Sequence, residues 1–121
     1  MFFPISSWFP AFILTVVLEV PVVWLVLHDR EPSTLRLGLL VVFANLATHP
    51  AVWFVFTQVF TVGTADYTLA SEGWAAGAEA LFYLVAVPAA GPARAIGAAL
   101  AANAVSYLAG LLIGGLSPGL F

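Results

Sequence analysis

The chain has no cysteine, no lysine and a single methionine, and it carries very little charge of either sign. Each shortage closes off a class of function. Without cysteine there is no disulfide, no thiolate metal site and no soft-ligand route to Cu(I), so metal chemistry has only carboxylate, imidazole and amide to work with. Three basic residues, Arg30, Arg36 and Arg94, cannot build a nucleic-acid-binding face, and no nucleic-acid partner is expected. Charged residues make up 7% of the chain, against about 25% in a soluble globular domain, so water is the wrong solvent for most of its surface. Enzyme signatures are missing as well: there is no His-Glu-x-x-His, no Gly-x-Ser-x-Gly and no Gly-x-x-x-x-Gly-Lys, and catalysis is not expected. The stretch from Met1 to Trp8 has no basic residue and no small-residue cleavage site before the first apolar run, which argues against a cleaved signal peptide.

What the sequence does have is long apolar runs. Of its 121 residues 63% are hydrophobic. A spanning helix needs about 20 in succession, because each residue rises about 1.5 Å across a hydrocarbon core of about 30 Å. Four segments qualify, roughly 7–27, 34–62, 68–89 and 93–114. The expected fold is all-α: an integral membrane four-helix bundle made of two helical hairpins, one transmembrane domain over the whole chain, with the bilayer as its first partner. Pro50 gives the second helix a reason to kink. The third and fourth are rich in small residues, and Gly73 with Gly77 and Gly110 with Gly114 have the Gly-x-x-x-Gly spacing that lets helices approach closely in lipid.

Orientation is expected from the arginines, since basic residues in short loops stay in the cytoplasm. Arg30 and Arg36 flank the first loop and Arg94 the third, so loops 28–36 and 90–94 are expected on the cytoplasmic side of the cell (inner) membrane. Both termini and the loop before Tyr67, with Asp66, are then outside.

The two halves, roughly 7–62 and 68–114, place their polar residues alike. Arg36 is followed nine residues later by Asn45, with Thr48 three beyond; Arg94 is followed nine residues later by Asn103, with Ser106 three beyond. Glu19 precedes Arg36 by 17 residues and Glu79 precedes Arg94 by 15. Both halves would enter the membrane in the same direction, so a parallel internal repeat is expected, with its pseudo-two-fold axis along the membrane normal.

Counting helical rise puts Asn45 and Asn103 about 13 Å from their arginines, near the middle of the core, and Glu19 and Glu79 at the same level. Ionisable groups at that depth are costly and usually face a bundle interior or a water-filled cavity. The expected binding set for a proton or small cation is Glu19, Glu79, Asn45, Asn103 and His49. Glu72, Tyr107, Ser106 and Thr48 would line an outer entrance. Between the midplane and the arginines only Leu, Val, Ala and Gly are expected. Pro21 and Pro50 would free the carbonyls of Val17 and Leu46, near the polar level.

Two functions of different class follow. One is a small transporter or channel-like protein, a homo-oligomer, that moves protons or a small cation. The other is a non-catalytic accessory or structural subunit of a larger membrane complex, in which the acids and amides merely tie helices together. In size and in the position of Glu19 the chain also resembles the small multidrug transporters, which implies efflux of lipophilic cations, although that family's motifs have no match here. The residues name no cofactor and leave open whether a metal binds.

Overall fold

The computed structural model describes residues 5–116, with side chains from Trp8 to Ile113. The expectations for the two termini, the cleavage site and Gly114 as a packing residue lie outside these limits. All regular structure among the described residues is helical, with no strand: α1 (Ile5–Leu27), α2 (Thr34–Pro50), a π-helical turn (Ala51–Val55), α3 (Phe56–Val59), α4 (Ala65–Ala86), a 3-10 turn (Pro88–Ala90) and α5 (Gly91–Leu116). Since α2, the π turn and α3 run on without a break, the chain forms four helical rods.

Local chemistry sets the ends. Ser33 caps α2 by accepting the Arg36 N–H at 3.1 Å, and Thr64 caps α4 by accepting the Tyr67 N–H at 3.3 Å, each satisfying a backbone donor that the first turn leaves without a partner. The Thr64 cap starts α4 three residues earlier than the expected 68, so Asp66 lies in the first turn of the helix and not in a loop. Gly63 and Gly91 hold φ of 90° and 79°, values open to glycine, at the turns that lead into α4 and α5. Pro50 does disturb its helix. The π turn follows it directly, with the Phe56 N–H bonded back to the Ala51 carbonyl, and so moves the helix surface beyond His49 off the regular period.

α1 packs against α2 and α5, and α4 packs against the same two, so α1 and α4 stand at opposite corners. The apolar core gathers toward the arginine end: Val23 and Leu27 from α1, Leu37, Val41 and Ala44 from α2, Tyr83 from α4, Val87 just beyond it, and Ala95, Ala98, Ala99 and Ala102 from α5. The alanine face of α5 lets its neighbours come close. Gly73, Gly77 and Gly110, in contrast, meet nothing within 4 Å of where a Cβ would stand. Their spacing makes no close helix contact inside the chain, contrary to the expectation for the first pair.

The bundle is apolar outside and buries a set of polar side chains beside its apolar core. Val17, Leu25, Leu35, Leu81, Val85 and Leu112 are all 60% or more exposed, while Glu19, Asn45, Thr48, Ser71, Glu79 and Asn103 are buried. That is the reverse of a water-soluble bundle. Three helices are long and apolar enough to cross a membrane: Trp8–Leu27, Thr34–Val59 and Pro88–Ile113. α4 carries Asp66, Glu72 and Glu79, and the acids set it apart from the other three.

Candidate functional site

Four helices contribute to one buried polar network. Glu19 of α1 is completely buried; its Oε1 accepts from Asn45 Nδ2 at 3.0 Å and its Oε2 from Ser106 Oγ at 2.7 Å. Glu79 of α4 is 1% exposed; its Oε2 accepts from Asn103 Nδ2 at 3.2 Å and lies 3.4 Å from Thr48 Oγ1, a hydroxyl that shares its one proton between Glu79 and its own helix's Ala44 O at 3.1 Å. Each asparagine also donates one turn back along its own helix, Asn45 to Val41 O at 3.0 Å and Asn103 to Ala99 O at 2.8 Å, so both amides are held at two points. The pattern has a rule. Within each hairpin the amide serves that hairpin's own carboxyl, while the hydroxyl three residues later crosses to the carboxyl of the other hairpin. The two carboxyls are near enough to interact directly. Glu79 Oε1 has no hydrogen-bond partner among the described residues.

A cavity of about 240 Å³ opens from this network toward the end of the bundle away from the arginines. Its floor includes Glu79, Asn45 and Asn103, and Thr48 and Ser106 stand beside them. Farther out the walls are His49, Val52 and Trp53 from the second rod, Ser71, Glu72 and Ala75 from α4, and Tyr107, Gly110 and Leu111 from α5. On three of the rods the lining spans nine residues, Asn45 to Trp53, Glu79 to Ser71 and Asn103 to Leu111, with Thr15 added from α1, a depth of about 12 Å. The structure therefore brings the residues of the expected binding set and entrance into one place, with one exception. Glu19 lies behind the floor and does not line the cavity.

His49 occupies an aromatic box, with the Trp8, Phe12 and Trp53 rings 6.5, 5.8 and 6.3 Å away. Thr15 donates its hydroxyl proton to Ala11 O at 2.9 Å, so its oxygen accepts from His49 Nε2 at 3.3 Å. That makes Nε2 the protonated nitrogen of the neutral ring and leaves Nδ1 a buried acceptor without a partner among the described residues. No group of three or more His, Asp or Glu that could hold a metal ion occurs among the described residues.

Tyr83 is the residue that the sequence reading missed. The half of the bundle toward the arginines was expected to offer only Leu, Val, Ala and Gly, yet Tyr83 is buried there completely and its hydroxyl has no partner among the described residues. It sits one turn beyond Glu79 on the same face of α4, and that i, i+4 relation is the signal that was available. The side chains of Val17 and Leu46, whose carbonyls Pro21 and Pro50 were expected to free, are 60% and 45% exposed, and the hydrogen bonds of the polar network are made by the side chains of Asn45, Thr48, Asn103 and Ser106.

The arginine end is closed by matched contacts. Arg36 pairs with Glu31 at 2.7 Å and donates to Ala86 O at 2.8 Å, at the C-terminus of α4. Arg94 pairs with Asp29 and donates to Val26 O at 3.4 Å, at the C-terminus of α1. Each arginine caps the acid-bearing helix of the opposite hairpin, where a cation complements the terminal carbonyls. Arg30 is exposed beside Asp29, at 3.8 Å.

Fold and site together define a class: an all-helical bundle with three helices fit to cross a membrane and an acidic, one-ended cavity at its centre. Comparison with protein-family models, with curated proteins and with solved structures returns no match for the chain.

Proposed function

We propose that the chain is a small membrane-embedded carrier of protons or a small cation, and that the cavity above Glu79 is where the cation sits. One observation carries this reading. A carboxyl that is 1% exposed lines the floor of a polar cavity and keeps one oxygen without a partner, while the second carboxyl of the network stands close behind it. Two acids this close in a low-dielectric interior repel one another unless a proton or another cation offsets the charge. The asparagine and hydroxyl donors hold the pair in place, and the arginines sit where they cannot compete for the site.

In this reading all four rods cross the bilayer, α4 included, because its outward side chains Leu69, Leu81 and Val85 are apolar and Glu79 points inward. The arginine end is cytoplasmic by the positive-inside rule, so the cavity faces outward and the tight apolar half closes the inner side. We read the chain as a duplicated hairpin. The buried positions support this: Leu37, Leu40, Val41, Ala44 and Asn45 in α2 are each matched 58 residues on by Ala95, Ala98, Ala99, Ala102 and Asn103, and Glu19, Val23 and Leu27 are matched 60 residues on by Glu79, Tyr83 and Val87.

Purified protein in proteoliposomes carrying an internal pH-sensitive dye or a cation indicator tests the proposal. Native protein is expected to pass protons or a cation down an imposed gradient, and Glu79→Gln to slow this at least tenfold. Equal flux in native protein, Glu79→Gln and Glu19→Gln would remove it.

A second reading, an accessory subunit of a larger membrane complex, is favoured by the open glycine positions Gly73 and Gly77 on α4 and Gly110 on α5, which no part of the chain fills. Purification in mild detergent separates the two: co-purification of unrelated chains in fixed ratio supports the subunit, and a particle made of this chain alone supports the carrier.

A further inference from the structure

The carboxyls of the cavity wall are spaced in a way that a single small ion does not use. Glu72 and Glu79 lie seven residues apart on α4, so they share a face and are separated by about 10 Å along the helix. Both line the cavity, with Ala75 between them on the same wall. Neither is paired with a basic side chain among the described residues. Glu79 Oε1 is without a partner, and Glu72 makes no hydrogen bond or ion pair among the described residues. The three arginines are all at the other end of the bundle. The cavity therefore presents two acids, an apolar step between them, and Trp53 and Tyr107 as walls.

An inorganic cation is poorly served by this arrangement. Hard ions take six or more oxygens in one shell. Acids two helical turns apart cannot share one ion, and no cluster of three ligating residues exists among the described residues. An ammonium group asks for less: a few acceptors around each nitrogen, and aromatic or apolar surface along the carbon chain. The room is also suited to a short organic molecule. At about 30 Å³ per water in the liquid, 240 Å³ holds about eight waters, or a molecule with a similar number of heavy atoms.

We propose that the cavity is a binding site for a short α,ω-diammonium ion, one ammonium on Glu79 at the floor, the other on Glu72 nearer the mouth, and the methylene chain lying along Ala75. With each nitrogen at hydrogen-bond distance from its carboxylate, a spacing of about 10 Å between acids suits a linker of about four or five carbons. This rests on the reading of the cavity as a cation site, and deepens it by naming the class of cation.

Calorimetric titration of the purified chain in detergent tests it without any transport. The probes are 1,4-diaminobutane, butylamine and 1,4-butanediol at pH 7, with sodium and potassium as competitors. Native protein is expected to bind the diamine at least tenfold more tightly than the monoamine and to bind the diol not at all, with sodium or potassium in hundredfold excess failing to displace it. Glu72→Gln, which touches no part of the buried network, is expected to bring the diamine down to the affinity of the monoamine while leaving the latter unchanged. Diamine and monoamine binding equally to native protein, or the diamine not binding at all, overturns the proposal. So does displacement by equimolar sodium. The two readings fail separately: diamine binding that depends on Glu72 in a protein with no flux sinks the carrier and leaves this site standing, whereas flux that depends on Glu79 without a preference for the diamine does the opposite.

Discussion

The first hairpin completes its carboxyl and the second does not. Glu19 has a donor on each oxygen, at 3.0 and 2.7 Å, and is sealed behind the cavity floor. Glu79 takes both of its donors on one oxygen, at the longer distances of 3.2 and 3.4 Å, and lines the floor. The same divergence is seen one step outward. Sixty residues before Glu72 and Ala75 stand Phe12 and Thr15. Thr15 and Ala75 both border the cavity, but Phe12 fills its side with aromatic packing against Trp8 and His49, whereas Glu72 borders open space. Two acids 60 residues apart thus become a sealed strut and a cavity-lining carboxyl, and the difference lies in what surrounds each acid, not in the acids themselves.

Stability should show the strut first. Glu19→Ala removes the acceptor of Asn45 and Ser106 together, and a buried donor left unpaired costs about 1–3 kcal/mol. We expect a loss of about 2–5 kcal/mol in reversible detergent unfolding, against about 1–3 kcal/mol for Glu79→Ala, whose donors are farther away. Equal losses would break the comparison. Flux should then reverse the order. At matched amounts of folded protein, Glu79→Gln is expected to lower the transport rate more than Glu19→Gln, because an amide at Glu19 still accepts a hydrogen bond while an amide at Glu79 removes the titratable group at the floor. A larger flux defect in Glu19→Gln would assign the site to the wrong hairpin.

Much of this was readable before any coordinates, for reasons particular to helices in an apolar chain. Rise per residue is constant, so counting from Arg36 and Arg94 was enough to put Asn45, Asn103, Glu19 and Glu79 at one depth. The i+4 and i+7 relations were enough to align His49 with Asn45 and Glu72 with Glu79. What depth and face cannot tell is which helix stands beside which. The crossing of Thr48 to Glu79 and of Ser106 to Glu19 follows from α1 and α4 standing at opposite corners, and loop lengths alone allow other arrangements. Tyr83 was overlooked because a phenol in an apolar run reads as packing. Thr15 was overlooked because one hydroxyl in a spanning helix usually bonds its own backbone, as this one also does.

The amides offer a smaller test of the same asymmetry. Asn45 and Asn103 have the same place in the two hairpins, but Asn45 donates to Glu19 at 3.0 Å and Asn103 to Glu79 at 3.2 Å. Interhelical polar bonds in membranes average about 0.6 kcal/mol, with a maximum of about 1.7 kcal/mol. Asn45→Ala is expected toward the upper figure and Asn103→Ala near the average, measured by the same unfolding experiment. A reversed order would mean that bond length is not what distinguishes the hairpins.

The smallest effect concerns the loop at the arginine end, where the two ion pairs that its acids make differ in exposure. The side chain of Glu31, which pairs with Arg36, is 16% exposed, while that of Asp29, which pairs with Arg94, is 47% exposed. The hydrogen bond from Arg94 holds the Asp29 carboxyl below its ordinary value of 3.8. A carboxyl whose value is lower folded than unfolded stabilises the fold fully above the unfolded value, and that contribution disappears as pH falls through the folded one. Asp29→Asn should therefore lower the melting temperature slightly at neutral pH, and the difference from native protein should shrink toward zero as pH drops below 3.8. Salt should erase it too, because the screening length shortens from about 10 Å at 0.1 M to about 3 Å at 1 M. The better-shielded Arg36–Glu31 pair should resist salt more, so a Glu31→Gln variant that loses its effect at the same salt concentration as Asp29→Asn would show that the two latches are equivalent after all.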